Sequence, residues 1–270
     1  MKKLLISTAN AEYQIITSLK QNRTKRSKLG EIFVEGIESI KQAQRAGVAF
    51  TRIIAGDRLG LSDWAKGFIA ANQDATVVEM SAPLYRELCD RDEPSEIVVT
   101  AKISAQDFWE IELSDNPCVL IFDRPSDHGN FGTILRSANS FAVDAVFVIG
   151  HAIDIYDPKV IRSSLGGIFH TKIAAVPSME ELRQWVAAQK ERSGLRLVGS
   201  DSTGSVSLES HRLARPIALV LGNEAKGMSV ALKELCDYVV SIPLAGSMNS
   251  LNVSCAGSIL LWEIFKNSAG

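Results

Sequence analysis

Apolar positions along the chain group into short β-branched runs separated by stretches of helical period. Glu31-Ile32-Phe33-Val34, Thr51-Arg52-Ile53-Ile54-Ala55 and Thr76-Val77-Val78-Glu79 read as strands. Between and after them, helices are expected at 36–46, closed by Gly47, at 62–71, capped by Ser62, and at 82–88. A short helix at 11–21 and a polar link from Asn22 to Lys28 precede this alternation, which describes a small α/β domain. Two breakers follow, Arg91-Asp92-Glu93-Pro94-Ser95-Glu96 and Ser114-Asp115-Asn116-Pro117, with a strand at 97–103 close to the seam. Domains are therefore expected at 1–105 and 106–270. The second half alternates again, with strands at 118–122, 145–149, 172–175, 195–200, 217–221 and 238–242. Helices are expected at 130–141, 157–165, 179–192 and 230–236 and at the C-terminal end. Its strands are apolar without a period of two, which predicts a parallel sheet covered on both faces.

The last stretch is unusual. Pro243 ends ladder pairing, Gly246 frees the backbone, and Ser250 stands where a helix cap belongs. The helix beyond carries Leu251, Cys255, Ile259 and Trp262 on one face and Val253, Ala256, Leu260 and Ile264 on another. Its first turn is polar, with Ser250, Asn252 and Ser254. These residues alone describe either a capped core helix or a binding site on a doubly packed one.

Composition narrows the class. An apolar fraction of 46% builds a substantial core, and a net charge of −2 carries no global signature of nucleic-acid binding. The charge is uneven, because Lys2, Lys3, Lys20, Arg23, Lys25, Arg26 and Lys28 crowd the first thirty residues. Alone, that run is a solvated terminus or a nucleic-acid patch. Cys89, Cys118, Cys236 and Cys255 form no C-x-x-C pair and read as small core residues in a reducing compartment. The opening Met-Lys-Lys-Leu-Leu-Ile is cut short by Ser7, Asn10 and Glu12, so no leader is expected, and no run reaches a membrane span. A cytoplasmic protein is expected.

No G-x-G-x-x-G follows a strand. Gly222 and Gly227 have a P-loop-like spacing, but Met228-Ser229 follows where Lys-Ser/Thr should. Gly222 ends the apolar strand Leu219-Val220-Leu221, and Ile242-Pro243 ends another. Ligands of open parallel sheets bind outside the carboxyl ends of strands, so these two loops with Leu251 can sandwich a flat ring. Taken alone, Gly222 is an ordinary strand-to-loop glycine and Arg136 a surface arginine.

Three stretches in order change that balance. Asn130-x-Gly132-x-x-x-Arg136, Gly222-x-Glu224-x-x-Gly227 and Ser250-Leu251-Asn252-Val253-Ser254 resemble the three motifs of the SpoU/TrmH family of RNA ribose 2′-O-methyltransferases, in the SPOUT superfamily. Phe33-Val34-Glu35-Gly36 is similar to the opening of that family's L30e-like substrate-binding domain. The resemblance implies an α/β fold, with a small L30e-like domain followed by a parallel-sheet methyltransferase domain tied in a trefoil knot. It implies S-adenosylmethionine as methyl donor, S-adenosylhomocysteine as product, no metal, and an rRNA or tRNA substrate. The donor pocket would involve Leu221, Gly222, Asn223, Ile242, Pro243 and Leu251. Arg136, Asn130, Glu224, Ser250 and Asn252 would form the catalytic cluster, with Glu224 holding Arg136 or Asn252. Arg136 is expected to stabilise charge rather than act as a base, because a guanidinium stays protonated. His128 stands where the family usually has proline. Arg23, Lys25, Arg26, Lys159 and Arg162 would meet RNA phosphates. The resemblance also implies a homodimer through the last helix. Two alternatives remain, a non-catalytic RNA-binding knotted protein and a base methyltransferase on the same fold.

Overall fold

A computed structural model describes residues 2–57, 60–90, 93–103 and 106–268. The breaker residues Arg91 and Asp92 and the boundary residue Ala105 lie outside them. The chain runs β1 (Lys3–Ile6), α1 (Ala11–Gln21), α2 (Arg23–Leu29), β2 (Glu31–Glu35), α3 (Ile37–Arg45), β3 (Phe50–Gly56), α4 (Asp63–Ala71), β4 (Thr76–Met80), α5 (Ala82–Leu88) and β5 (Ile97–Lys102). It continues with β6 (Cys118–Asp123), α6 (His128–Ser140), β7 (Ala145–Ile149), α7 (Pro158–Ser163), a 3-10 turn (Gly167–His170), β8 (Ile173–Val176) and α8 (Met179–Ser193). Then come β9 (Arg196–Ser200), β10 (Val206–Ser207), β11 (Ile217–Leu221), α9 (Val230–Leu235), β12 (Tyr238–Ser241) and α10 (Val253–Ser268). Two compact units result, Met1–Ser104 with Asp154–Phe169, and Ala105–Ile153 with His170–Gly270. Among the described residues no helix is long and apolar enough to cross a membrane.

The first unit holds a five-stranded sheet in the order β1-β4-β3-β5-β2. The strand expected at 97–103 forms as β5, which is internal to the sheet and runs antiparallel to both β2 and β3. Its residues Ile97, Val98, Val99 and Ala101 are fully buried, as an internal strand requires. Lys3–Ile6 adds an edge strand parallel to β4, where the sequence showed only a truncated apolar run.

The polar link is also a helix. Asn22 caps α2 by accepting from the Lys25 amide at 3.1 Å, and Gly30 closes it in the left-handed region. Arg26 is consequently not at the surface. Its guanidinium is 3% exposed and donates to Asp154 at 2.5 Å and to the Leu19 carbonyl at 2.7 Å. A side chain so enclosed cannot meet RNA phosphates, which corrects the expectation for Arg26; Arg23 and Lys25 stay exposed.

Residues 154–169 belong to this unit through specific bonds. Arg26 also reaches Asp157, and Arg162 pairs with Glu35 and Asp90 at 3.4 Å each. Gly166 comes so near α3 that a Cβ there would lie 2.6 Å from the Gln42 Cβ. Burial pushes the Asp90 carboxyl up, but hydrogen bonding and the charge of Lys20, then Arg162, hold it below its ordinary value.

The second unit is a seven-stranded, all-parallel sheet in the order β10-β12-β9-β11-β6-β7-β8. Strands β6, β7 and β11 are buried along their whole length, the signature of a sheet covered on both faces. Val119, Ile121 and Phe147 pack with Leu182 and Trp185 of α8. On the other face Phe122 meets Phe131 of α6. There α10 approaches closely, because a Cβ on Gly257 would sit 2.6 Å from Ile134 Cδ1 and 2.7 Å from Leu221 Cδ1. The buried side of α10 is Ser254, Gly257, Leu260, Leu261 and Ile264. Cys255, Ile259 and Trp262 stay exposed, so Cys255 is not the core residue its apolar neighbours suggested.

Candidate active site

Strands β9, β11 and β12 end on a cleft of about 240 Å³, just under the usual range of about 300–1,000 Å³ for small-molecule sites. Gly222, Asn223, Glu224 and Gly227 line it from the loop after β11, and Ile242 and Leu244 from the loop after β12. Ser250, Leu251, Val253 and Ala256 complete it at the start of α10. The expected pocket residues Gly222, Asn223, Ile242 and Leu251 therefore meet in one cleft. Leu221 is buried in β11 beneath it, and exposed Pro243 does not line it.

A third wall went unrecognised in the sequence. Ser200, Asp201 and Ser202 line the cleft from the end of β9. Their position after a parallel strand was the available signal. Burial pushes the Asp201 carboxyl up, but the Thr203 amide and hydroxyl and then Lys233 hold it below its ordinary value.

Gly222 is required by backbone rather than by ligand. A Cβ there would lie 2.3 Å from the Met228 nitrogen and 2.4 Å from the Gly227 carbon. The chain turns back at once, with Asn223 and Gly227 exchanging backbone hydrogen bonds at 3.1 and 2.9 Å. This turn is anchored beneath by Asp123, which is 2% exposed. Asp123 accepts from the Ser229 amide at 2.6 Å and from Arg124 at 2.8 and 2.9 Å. Arg124 has φ 51°, a left-handed conformation costing roughly 1–2 kcal/mol for a non-glycine residue. Its pairing with Asp123 and its bond to the Gly227 carbonyl at 3.1 Å oppose that cost. The same pairing raises the Arg124 pKa.

Glu224 does not hold Arg136 or Asn252. Its carboxylate accepts from the Ser126 amide at 3.0 Å, the Ser126 hydroxyl at 2.6 Å and the Asp127 amide at 3.1 Å. Asn223 adds a bond to the Arg124 carbonyl at 2.7 Å. These contacts latch the loop before α6 onto the loop after β11. Asp127 caps α6, accepting from the Asn130 amide at 2.7 Å.

At the other end of the site the cap of α10 is Asn252 rather than Ser250. Asn252 Oδ1 accepts from the Ser254 amide at 2.9 Å, and the Asn252 carbonyl accepts from Ala256. Ser250 is left exposed at the rim of the cleft. Asn252 Nδ2 donates to Asn130 Oδ1 at 2.8 Å, so the first and third motifs touch. Arg136 lies on the exposed side of α6 without a hydrogen bond or ion pair to any described residue. It does not line the cleft of its own chain. In the first unit Lys159 is exposed, whereas Arg162 is engaged by Glu35 and Asp90.

The donor set fits S-adenosylmethionine. Ile242, Leu244, Leu251, Val253 and Ala256 offer apolar walls for an adenine, and Ser200, Asp201, Ser202 and Asn223 offer partners for hydroxyl and amino groups.

Comparison with known proteins gives the class. The crystal structure of the SpoU methyltransferase AviRb from Streptomyces viridochromogenes with S-adenosylmethionine matches at TM-score 0.88 and 35% identity, covering 96% of this chain and 98% of that one. A crystal structure of an RNA 2′-O ribose methyltransferase matches at TM-score 0.82 and 27% identity, covering 98% and 99%. The 23S rRNA (uridine(2479)-2′-O)-methyltransferase of Streptomyces viridochromogenes is 36% identical over 260 residues, 96% of this chain and 90% of that protein. The protein is an S-adenosylmethionine-dependent RNA methyltransferase. It belongs to the SpoU rRNA methylase family, whose model matches residues 117–262, and the SpoU L30e-like domain matches residues 10–99.

Proposed function

We propose that this enzyme methylates the ribose 2′-hydroxyl of one nucleotide in ribosomal RNA, in the cytoplasm. The observation that carries the reading is the junction at residues 250–256. Leu251 and Val253 line the donor cleft, and Asn252 between them bonds to Asn130 of the first motif. Methyl donor and acceptor are thus addressed by adjacent residues of one segment. The similarity to a 23S rRNA 2′-O-methyltransferase supports the same acceptor.

S-adenosylmethionine, when bound, supplies a methyl group already activated on a sulfonium sulfur and departs as S-adenosylhomocysteine. The chain has to hold the acceptor oxygen in line and ease loss of its proton. Arg136 meets the negative charge that grows on that oxygen and clamps the neighbouring phosphate. Asn130, Ser250 and Asn252 orient the ribose. Glu224 acts at one remove, holding the loop that presents α6. Arg23, Lys25 and Lys159 serve RNA capture by the domain at 1–105 and its neighbouring segment.

The protein works as a two-fold dimer, and the second unit takes the trefoil-knotted form. Ile259, Trp262 and Phe265 are exposed on α10, and Phe141 joins Trp262 and Phe265 with ring centroids 5.8 Å apart. Such an apolar strip usually marks an interface. Arg136, unpaired among the described residues of its own chain, then serves the partner's cleft.

The test is transfer of labelled methyl to total RNA from a deletion strain, followed by alkaline hydrolysis. Label in alkali-resistant dinucleotides is expected, because a 2′-O-methyl group blocks cleavage. Label on a base would establish the base methyltransferase and overturn the ribose acceptor.

A further inference from the structure

The bond between Asn252 and Asn130 has a direction, and the start of α10 sets it. Asn252 Oδ1 accepts from the Ser254 amide at 2.9 Å, the Ser254 hydroxyl at 2.6 Å and the Cys255 amide at 3.4 Å. Backbone amides at a helix start can only donate, so the oxygen of Asn252 has to face them. Its nitrogen is left to face Asn130 and donates to Oδ1 at 2.8 Å. Turning the Asn130 amide over would set two NH₂ groups against each other. Asn130 Nδ2 therefore points away from Asn252, and it bonds to no described residue. The side chain is half-buried and its bond to Asn252 lies at the surface, so this open donor is accessible to a bound nucleotide.

We infer that Asn130 acts as a hydrogen-bond donor of fixed polarity toward an anionic oxygen of the target nucleotide, and that Asn252 is the positioning residue that fixes this polarity. The inference rests on the methyl-transfer reading above. The bonds run in one direction, from the amides of α10 through Asn252 and Asn130 to the substrate. The positive end of the helix dipole polarises each donor in turn. An oxygen that gains charge during the reaction is the acceptor that such a relay stabilises most.

Two isosteric substitutions test it. Asn130→Asp still accepts from Asn252 but turns a carboxylate oxygen toward the substrate. Asn252→Asp still caps α10, since Asp and Asn cap equally well. Its second oxygen, however, draws Asn130 Nδ2 toward itself and leaves Asn130 Oδ1 facing the substrate. Each variant is expected to lose at least about 10²-fold in single-turnover methyl transfer, the usual loss for one transition-state donor. Melting temperature and affinity for S-adenosylhomocysteine should stay at wild-type values. A loss in kcat identifies the reacting ribose oxygen, and a loss through the KM for RNA identifies a phosphate oxygen. Either variant retaining wild-type turnover would overturn the inference, because an acceptor would then serve as well as a donor. So would loss of melting temperature or cofactor affinity in Asn252→Asp, which would reduce Asn252 to a structural cap. Wild-type protein on the same RNA separates the two claims. Its inactivity rejects the methyl-transfer reading, whereas active wild type with active variants rejects the polarity alone.

Discussion

Replacing Arg26 by Met should destabilise the first unit strongly and leave RNA contacts intact. In the native protein the guanidinium joins Asp154, Asp157 and the carbonyls of Leu19 and Lys20, at 3% exposure. Met fills much of the same volume but offers no donor. It leaves Asp154, whose side chain is 13% exposed, without its cation, and a buried carboxylate losing its partner costs roughly 3–5 kcal/mol. The unit holds about 120 residues, so its entropy of unfolding is about 0.25 kcal/mol per kelvin. The corresponding drop in its melting transition is roughly 12–20 °C. Differential scanning calorimetry reads the shift, and filter binding at low temperature reads RNA affinity. A shift of less than about 3 °C would refute the assignment, since the cost per kelvin is fixed by unit size. Loss of RNA affinity in folded protein would return Arg26 to the RNA face. Lys25→Glu with Lys159→Glu should do the reverse, keeping the transition and weakening RNA binding more at low salt than at high salt.

Arg136→Ala should lower kcat by about 10²-fold or more while leaving cofactor affinity unchanged in calorimetry; near-normal turnover would make it a bystander. Mixing Arg136→Ala chains with cleft-blocked Ala256→Trp chains should restore activity if arginine serves the partner, because one site then has both an open cleft and an intact guanidinium. A mixture that stays inactive, or a monomer in sedimentation at micromolar concentration, removes the shared site. Acid should loosen the first unit, because Asp90 and Glu31 keep folded pKa values below their ordinary ones despite burial. Groups depressed in this way contribute stability above their unfolded pKa values of about 3.9 and 4.3 and lose it as pH falls through the folded values. Urea melts at pH 7 and in the acid range would show no such loss if Lys20, Arg162, Arg52 and Lys102 did not hold them.

The parallel sheet was legible because β6, β7 and β11 are uninterrupted apolar runs, which only a doubly covered sheet accommodates. The second helix was not. Its seven residues include one apolar side chain, Leu29, so no periodicity marks it. Its caps are local, but the partners that bury Arg26 lie 128 and 131 residues further on. The three motifs located the cleft, yet not who bonds to whom. Ser250 and Asn252 are both good caps, and contact with Asn130 accompanies the one that wins. Glu224 could have faced several partners, and only the folded loop shows that it takes two amides and a hydroxyl from residues 126–127. The wall at Ser200 to Ser202 carries no motif, only its place at a strand end.

The bond between Arg26 and Asp154 also bears on how the protein is made. A ribosome extends a chain by roughly 5–20 residues per second. The carboxylate that neutralises Arg26 is synthesised 128 residues after it, so the arginine waits on the order of ten seconds for its partner. The first unit cannot close as soon as its own five strands have emerged. Arg26 has to stay without its carboxylate partners until the segment ending at Phe169 leaves the exit tunnel. By then β6, α6 and β7 of the second unit are already out, so the second unit begins to emerge before the first can close. Ribosome-bound chains arrested before and after that segment should differ sharply in protease resistance near α2. Equal resistance would mean that the nascent first unit closes without it.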